Sequence, residues 1–252
     1  MTARWIERLH ERYREQLQSY QLGYRQHLDF VHLWVHQMKT PLSGLSLLCQ
    51  QQRPQTADER ERWLQTEEAV EKLAEGLDTV LHMARLQDFA LDVHNRRTDL
   101  LQQVKEVIDA RKRTMIRLGI FPRIDAEQGE WPVYTDPKWN KVILEQILSN
   151  ALKYGSQADK EGQYIRFGLH RGGREVVLTI SDDGPGIPPQ DPPRIFDPFF
   201  TGENGRRFTH ATGVGLYLVK QVTERLGHHV SVTSTPGEGT CVTLRYQGEQ
   251  VI

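Results

Sequence analysis

Two groups of residues in this sequence have types and spacings that suit group-transfer chemistry. The first is the stretch 36–41, His-Gln-Met-Lys-Thr-Pro, in which His36 and Thr40 are one helical turn apart. A neutral imidazole is available near pH 7 and can act as a covalent nucleophile. Pro41 removes a backbone donor and predicts a bend just after the pair. The stretch therefore predicts an exposed histidine on a rigidly held helix.

The second group lies in the C-terminal half and suits the binding of a nucleotide. Its first cluster is Asn150, Lys153 and Tyr154, which fall on one face of a predicted helix. The amide oxygen of an asparagine can ligate a hard cation such as Mg²⁺. A lysine can meet a phosphate as a point charge. This helix is therefore predicted to face a phosphate and its metal ion.

A second cluster begins at the end of a predicted strand, where Asp182 is followed by Gly184, Gly186 and Ile187. A carboxylate in this position can accept a hydrogen bond from an exocyclic amine, and the glycines let the backbone approach a base closely. The turn that ends in Thr240 can close the same site. These residues predict the place of the nucleotide base.

A polar, glycine-rich stretch runs from residue 183 to about 212 and predicts a flexible lid. Phe200 can anchor this lid, and Arg206 or Arg207 can reach phosphates from it. A helix then starts with glycines, where backbone N–H groups and the helix dipole can cradle phosphates. The residues at this helix start are Thr212, Gly213, Gly215 and Leu216.

Two heptad seams in the N-terminal part predict the helices that position His36. The first seam comprises Leu28, Val31, Val35, Met38, Leu42, Leu45 and Cys49, and the second Trp63, Thr66, Val70, Leu73, Leu77, Val80 and Ala84. Thr56 or Asp58 can cap the second helix, and a short turn makes the pair an antiparallel hairpin. One hairpin leaves half of its apolar surface in water, so we expect a homodimer through residues 27–90, closed as a four-helix bundle.

The pattern changes to mixed α/β after a short polar segment, residues 90–98, which is interpreted as a hinge. The sequence predicts helices at 100–113, 138–154 and 214–226, and strands at 120–124, 131–135, 163–170, 174–181, 230–235 and 240–246. Strands separated by helices on one side predict an α+β fold, a sandwich of one sheet under a helical layer.

Composition excludes several classes of protein. The hydrophobic fraction is 38%, the mean hydropathy is −0.58, and no apolar run is long enough for a membrane span. A net charge of −1 argues against general nucleic-acid binding. Cys49 and Cys241 stand far apart and are interpreted as thiols in a reducing compartment. We therefore predict a cytoplasmic chain of two domains, with His228 and His229 on its surface.

Residues from about 27 to 247 resemble the cytoplasmic core of a bacterial sensor histidine kinase. The histidine box is similar to residues 36–42, and the asparagine box to the cluster around Asn150. The two glycine boxes and the phenylalanine box correspond to residues 182–186, 213–216 and 196–200. The stretches His-Gln-Met-Lys-Thr-Pro and Phe-Thr-Gly-Glu-Asn-Gly-Arg are similar, more narrowly, to the intramembrane-sensing kinases of Gram-positive bacteria. Those kinases typically partner transporters and respond to bacitracin or other antimicrobial peptides.

The resemblance implies three parts: a signalling helix or linker at 1–26, a dimerisation and histidine phosphotransfer domain at 27–92, and a catalytic domain at 98–248. The last would have the ATP-binding fold shared by gyrase, Hsp90, histidine kinases and MutL, called GHKL. It also implies that His36 takes the γ-phosphoryl group of ATP·Mg²⁺ and passes it to an aspartate of a response regulator.

Individual roles follow from the same resemblance. Asn150 would bind the metal, Asp182 the adenine amine, and the remaining residues of the clusters above the rest of the ATP molecule. Thr40 matches the position that helps to place a water for dephosphorylating the regulator. The subfamily usually has two membrane helices, which this sequence lacks. We therefore expect it to be the soluble part of a cell-membrane protein that contacts a transporter.

Three positions depart from the family pattern. Gln37 stands where an acidic base or orienter is usual, Gln146 where a second asparagine is usual, and Tyr217 where a third glycine is usual. A glutamine can orient the imidazole but cannot take its proton. The alternatives are a dimeric ATP-binding adaptor, a phosphatase-dominant regulator with weak autokinase activity, and a clamp-like ATPase of the same fold.

Overall fold

The computed structural model describes residues 31, 35, 38–40, 42–48, 56–86, 89–156, 162–207 and 212–247. The chain divides into two compact units, residues 1–89 and 90–252. No helix in the described part of the chain combines the length and the apolar character that crossing a bilayer requires. The predicted helix at 1–26 and the predicted site residues His36 and Gln37 lie outside the described residues.

Apart from the residues that flank its helices, the described part of the first unit is helical. Residues 38–40 and 42–48 are helical, and helix α1 runs over Ala57–Arg85. The side chain of Thr56 accepts a hydrogen bond from the backbone N–H of Glu59 at 3.2 Å, so Thr56 caps this helix.

An ion pair between Lys39 and Asp78 joins the two helical segments of this unit. The second seam is covered unevenly. Val70 is buried, whereas Leu73 is 60% exposed and Val80 is 45% exposed. A single copy of the hairpin therefore leaves apolar seam positions in water, as the prediction of a homodimer requires.

Helix α2 (Phe89–Asp92) spans the boundary between the units. The other helices of the second unit are α3 (Leu100–Ala110), α4 (Lys112–Leu118), α5 (Pro137–Gly155), α6 (Gly202–Arg207) and α7 (Gly215–Arg225), with a 3₁₀ turn at Pro192–Arg194. Its strands are β1 (Arg96–Asp99), β2 (Ile120–Asp125), β3 (Pro132–Thr135), β4 (Gln163–Gly172), β5 (Glu175–Asp182), β6 (His229–Thr235) and β7 (Gly239–Gln247).

Five of these strands form the main sheet in the order β2-β4-β5-β7-β6. The β2–β4 pair is parallel and the other pairs are antiparallel. Helix α5 packs against β4, β5 and β7, and helices α3 and α7 pack against α5. Ile143, Leu148, Leu178, Leu218 and Leu244 are fully buried between these layers. The predicted α+β sandwich is therefore confirmed.

Three predictions about this unit were wrong in detail. Residues 96–98, interpreted as part of a hinge, belong to β1, which pairs antiparallel with β3. The strand at 131–135 consequently belongs to a separate two-stranded ribbon and not to the main sheet. The helix expected at 100–113 is broken at Arg111, whose φ of −103° and ψ of 5° end α3 before α4 begins.

The predicted surface position of His228 was also wrong. This residue is 8% exposed, and its ring lies 4.7 Å from the ring of Tyr246. Its Nε2 atom is 2.9 Å from the hydroxyl of Thr135. Burial lowers the pKa of His228 to about 4, so the imidazole is neutral near pH 7.

Candidate functional site

Helix α5 presents the first cluster of predicted site residues at its C-terminal end. Asp136 caps its start by accepting hydrogen bonds from two N–H groups of the first turn, at 2.8 and 3.0 Å. Its apolar face is fixed against the core by Val142, Ile143, Ile147, Leu148 and Ala151. Asn150, Lys153 and Tyr154 are half-buried, and the Lys153 ammonium lies 5.4 Å from the centre of the Tyr154 ring.

Asp182, the last residue of β5, is held by one of its two carboxylate oxygens. Its Oδ1 atom accepts hydrogen bonds from the backbone N–H of Gly184 at 2.9 Å and of Thr240 at 3.3 Å. Thr240 stands opposite Asp182 in the β5–β7 ladder, which explains the second bond. No residue in the described ranges donates to Oδ2. The carboxylate is thus oriented by the protein and retains one oxygen for a ligand.

Burial makes this carboxyl group unusually basic. It raises the pKa of Asp182 from 3.8 to about 6; the Gly184 and Thr240 N–H groups lower it, and the charge of Asp183 raises it further. A raised carboxyl pKa means that the surroundings stabilise the ionised form poorly. Such groups are typical of functional sites, where a bound ligand can supply the missing hydrogen bond or charge.

The glycines after Asp182 are required by close backbone packing. A Cβ atom on Gly184 would lie 3.3 Å from the carbonyl group of Tyr154, so this glycine brings the end of α5 against the strand end. Gly186 has a φ of +71°, and a Cβ atom there would overlap the carbonyl oxygen of Thr235. The N–H of Ile187 donates to Ser234 Oγ at 2.8 Å. These contacts close one wall of the site.

The start of α7 lies beside Asn150. A Cβ atom on Gly215 would be 2.8 Å from Gln146 Oε1 and 3.9 Å from Asn150 Nδ2. Gly213 has a φ of +68° and accepts a hydrogen bond from the N–H of Phe199 at 2.9 Å. Among the described residues no side chain caps the first turn of α7, so its first backbone N–H groups can donate to an anion. Thr212 is exposed and Leu216 is half-buried at this end.

The segment between the two glycine clusters is folded back on itself. Asp191 is 9% exposed, and its Oδ2 accepts the N–H of Glu203 at 3.0 Å at the start of α6. The guanidinium of Arg194 lies 4.5 Å from the centre of the Phe200 ring. Arg206 and Arg207 lie in α6, but the placement of their side chains is outside the described structure.

Two residues that complete the site were not predicted from the sequence. The Ser234 hydroxyl, besides accepting from Ile187, donates to the carbonyl of Gly239 at 2.7 Å. Asn204 Nδ2 donates to the carbonyl of Gly186 at 2.6 Å and thereby ties α6 to the first glycine cluster. Serine in a strand gives no local signal of such a role, because its partners are distant in sequence. Asn204 lies in the stretch Gly-Glu-Asn-Gly, which was predicted only as a lid.

A protein-family model described as histidine kinase-, DNA gyrase B- and HSP90-like ATPase matches residues 135–250. The sensor histidine kinase YxdK of Bacillus subtilis is 36% identical over 220 residues, which cover 87% of this chain and 64% of YxdK. The sensor protein kinase GraS of Staphylococcus aureus is 35% identical over 243 residues, covering 96% of this chain and 67% of GraS. The chain therefore spans about two thirds of the length of these relatives.

Solved structures share the fold. ShkA, crystallised full-length in complex with AMPPNP, superposes with a TM-score of 0.62 at 21% identity, covering 86% of this chain and 45% of ShkA. The histidine kinase AdeS of Acinetobacter baumannii gives a TM-score of 0.55 at 20% identity, covering 85% of this chain and 98% of AdeS.

The sandwich fold, the oriented carboxylate and the matched family define the second unit as an ATP-binding domain of the histidine kinase, gyrase B and HSP90 type. The chain belongs to the sensor histidine kinases, the protein-histidine kinases of two-component signal transduction. The predicted resemblance to the sensor histidine kinases is therefore confirmed at the level of the family.

Proposed function

We propose that this chain phosphorylates itself on His36 with ATP and passes the phosphoryl group to an aspartate of a response regulator. The observation that carries the proposal is the Asp182 carboxylate. It is fixed by two backbone N–H groups through one oxygen, while its other oxygen has no donor among the described residues. This arrangement suits an exocyclic amine, which adenine carries and guanine lacks at the equivalent position.

The remaining site residues suit the rest of the nucleotide. Gly184, Gly186 and Ile187 would line the base, and Thr240 supports it through its N–H to Asp182. The N–H groups at the start of α7, from Gly213 to Leu216, would hold phosphates. Lys153, Arg206 and Arg207 would neutralise the negative charge of the phosphates. Tyr154 and Phe200 would pack around the nucleotide, and Thr212 would lie at the edge of the lid.

Mg²⁺ fits the residues present as a partner of the phosphates. In the described ranges no group of three or more His, Cys, Asp or Glu side chains is arranged to hold a metal ion. Mg²⁺ commonly uses one or two protein oxygens together with water and substrate phosphates. Asn150, beside the start of α7, offers one such oxygen. Bound Mg²⁺ would neutralise charge that develops on the phosphates during transfer.

The chemical step asks little of the protein beyond positioning. A bond forms between an imidazole nitrogen of His36 and the γ-phosphorus, the bond from that phosphorus to the bridging oxygen breaks, and ADP leaves. The imidazole also loses a proton. Gln37 can orient the ring but cannot accept that proton, so we expect water or another base to take it.

Partners follow from the same proposal. The chain would act on the cytoplasmic side of the membrane as a homodimer joined through residues 27–90, and it would recognise a cognate response regulator near His36. Thr40, exposed on its helix, would help to place a water that dephosphorylates the regulator. In the full-length protein, a membrane transporter would be a further partner.

The test is incubation of the purified chain with γ-labelled ATP and Mg²⁺, beside His36→Ala and Asn150→Ala. We expect acid-labile label on the wild type and none on either variant. His36→Ala should still bind ATP, which separates loss of the acceptor from loss of the nucleotide site. Nucleotide binding by the wild type without label would favour the adaptor or the phosphatase-dominant regulator, for which Gln37 is the supporting observation.

A further inference from the structure

Strand β5 ends at Asp182, and a second aspartate, Asp183, follows it directly. The two carboxylates are chemically equivalent but point to opposite faces of the sheet. Side chains alternate along a strand, so Asp182 shares a face with the buried Leu178 and Ile180. Asp183 is on the outer face, away from the helices. A slip of the strand by one residue would exchange them and place the wrong carboxylate at the base.

Asp183 is held on the outer face by both of its oxygens. The regular β4–β5 ladder ends with the pair Ile165 and Asp182. The next backbone N–H, that of Tyr164, donates to Asp183 Oδ2 at 3.1 Å instead of to a carbonyl group. Arg166, on the neighbouring strand, donates to Oδ1 at 2.6 Å and to Oδ2 at 3.3 Å, which is a bidentate ion pair.

We propose that Arg166 and Asp183 are positioning residues that lock the end of β5 in the register that presents Asp182 to the nucleotide base. The lock works from the outer face, while the N–H groups of Gly184 and Thr240 orient Asp182 on the inner face. The proposal rests on the proposed role of Asp182 in binding the base.

The pair also controls the charge around Asp182. Among the described residues, several titratable and charged groups lie near this corner. They are Asp183 next to Asp182, Tyr164 and Arg166 on β4, Arg123 of β2 over the Tyr164 ring, and Lys153 and Tyr154 at the end of α5; β7 contributes the uncharged Thr240. The negative charge of Asp183 raises the pKa of Asp182. Arg166 compensates that charge, so its removal is expected to raise the pKa of Asp182 further, and removal of Asp183 to lower it.

The experiment measures ATP affinity between pH 5 and pH 8 in the full chain, for the wild type, Arg166→Met, Asp183→Asn and the double variant. In the wild type, affinity should fall as the pH drops through about 6, where Asp182 takes a proton. Arg166→Met should weaken binding about two- to five-fold at pH 7 and move this midpoint upward. Asp183→Asn should move it downward, and the double variant should return it near the wild type.

Arg166→Lys is the matched control, because it keeps the positive charge and loses the bidentate contact with Asp183. We expect a wild-type midpoint with weaker binding at every pH. The proposal would be refuted if the pH midpoint of ATP affinity were unchanged in both single variants. It would also be refuted if the midpoint of the double variant were no closer to that of the wild type than the midpoints of the single variants. Asp182→Asn separates the role of Asp182 in binding the base from the positioning role of Arg166 and Asp183. Undiminished ATP affinity in that variant refutes the role of Asp182 itself, whatever the Arg166 variants show.

Discussion

Replacing Asp182 by asparagine is expected to stabilise the second unit at pH 7 while abolishing ATP binding. The amide oxygen of asparagine can still accept from the N–H groups of Gly184 and Thr240. The substitution therefore keeps the local hydrogen bonds and removes a buried charge. It also replaces the carboxylate that would attract the adenine amine. The asparagine side chain presents to that amine either an N–H₂ group or an uncharged, weaker acceptor.

The magnitude follows from the pKa of Asp182, which burial raises from 3.8 to about 6. Each pKa unit corresponds to about 1.4 kcal/mol, so the ionised carboxylate destabilises the folded unit by up to about 3 kcal/mol. Because the pKa is higher in the folded than in the unfolded state, this cost is absent below about pH 4. It grows as the pH rises and is complete above about pH 6.

Hydrogen exchange of the full chain provides the assay, because a chain of two units need not unfold in one transition. The free energy of opening should be compared between the wild type and Asp182→Asn for amides of the fully buried Leu178 and Leu244. We expect the variant to be more protected at pH 7 and the difference to shrink at pH 5. Asp183→Asn is the control and should stabilise much less, because it lowers the pKa of Asp182 only in part and also loses the ion pair with Arg166.

A variant that is less stable than the wild type at pH 7, by the same amount at pH 5, would refute this reasoning. Such a result would mean that the carboxylate is not desolvated in the folded chain. Tight ATP binding by the same variant would refute the role of the charge in recognising the base.

Three further predictions test other parts of the account. Gly186→Ala should lower the free energy of opening, measured by hydrogen exchange, by roughly 3 kcal/mol or more, because its Cβ would overlap Thr235. Gly237→Ala, with open space around it, should lower it by about 1–2 kcal/mol. Equal costs would contradict the packing. The stability of the wild type relative to His228→Asn should fall by up to about 3 kcal/mol as the pH drops from 6.5 to about 4, since the unfolded state protonates His228 first. Protonation of Asp182 acts in the opposite direction in both chains and therefore cancels in this difference. Gln37→Glu should raise the initial autophosphorylation rate about tenfold or more if proton removal is limiting, and an unchanged rate would exclude that limit.

Local chemistry was enough to predict the main elements that surround the candidate site. The Asp-Pro start of α5 is a helix signal that acts through its own first turn, and the structure has the helix at Pro137–Gly155. The glycines around Asp182 and Gly215 were predicted to let the backbone approach a base and hold phosphates. The structure shows a further requirement, because each packs against backbone or side chains of another element. In these places the requirement is carried by the residue type itself.

What was missed depends on contacts between distant residues. The sequence of β1, Arg-Arg-Thr-Asp, is polar and short, and only its pairing with β3 makes it a strand. His228, which precedes β6, is buried by its contacts with Thr135 of β3 and Tyr246 of β7. Ser234 and the Arg166–Asp183 pair likewise act across the sheet. A polar residue in a strand can be a surface residue or a specific partner, and only the register decides.

The most direct test of the central claim is to locate the phosphate. The chain should be incubated with ATP and Mg²⁺, kept at neutral to alkaline pH, and fragmented by mass spectrometry to distinguish His36 from the nearby His27 and His32. The account predicts phosphate on His36, with Asp182→Asn carrying none. Phosphate on another residue, or an unmodified chain that nonetheless binds ATP, would contradict it.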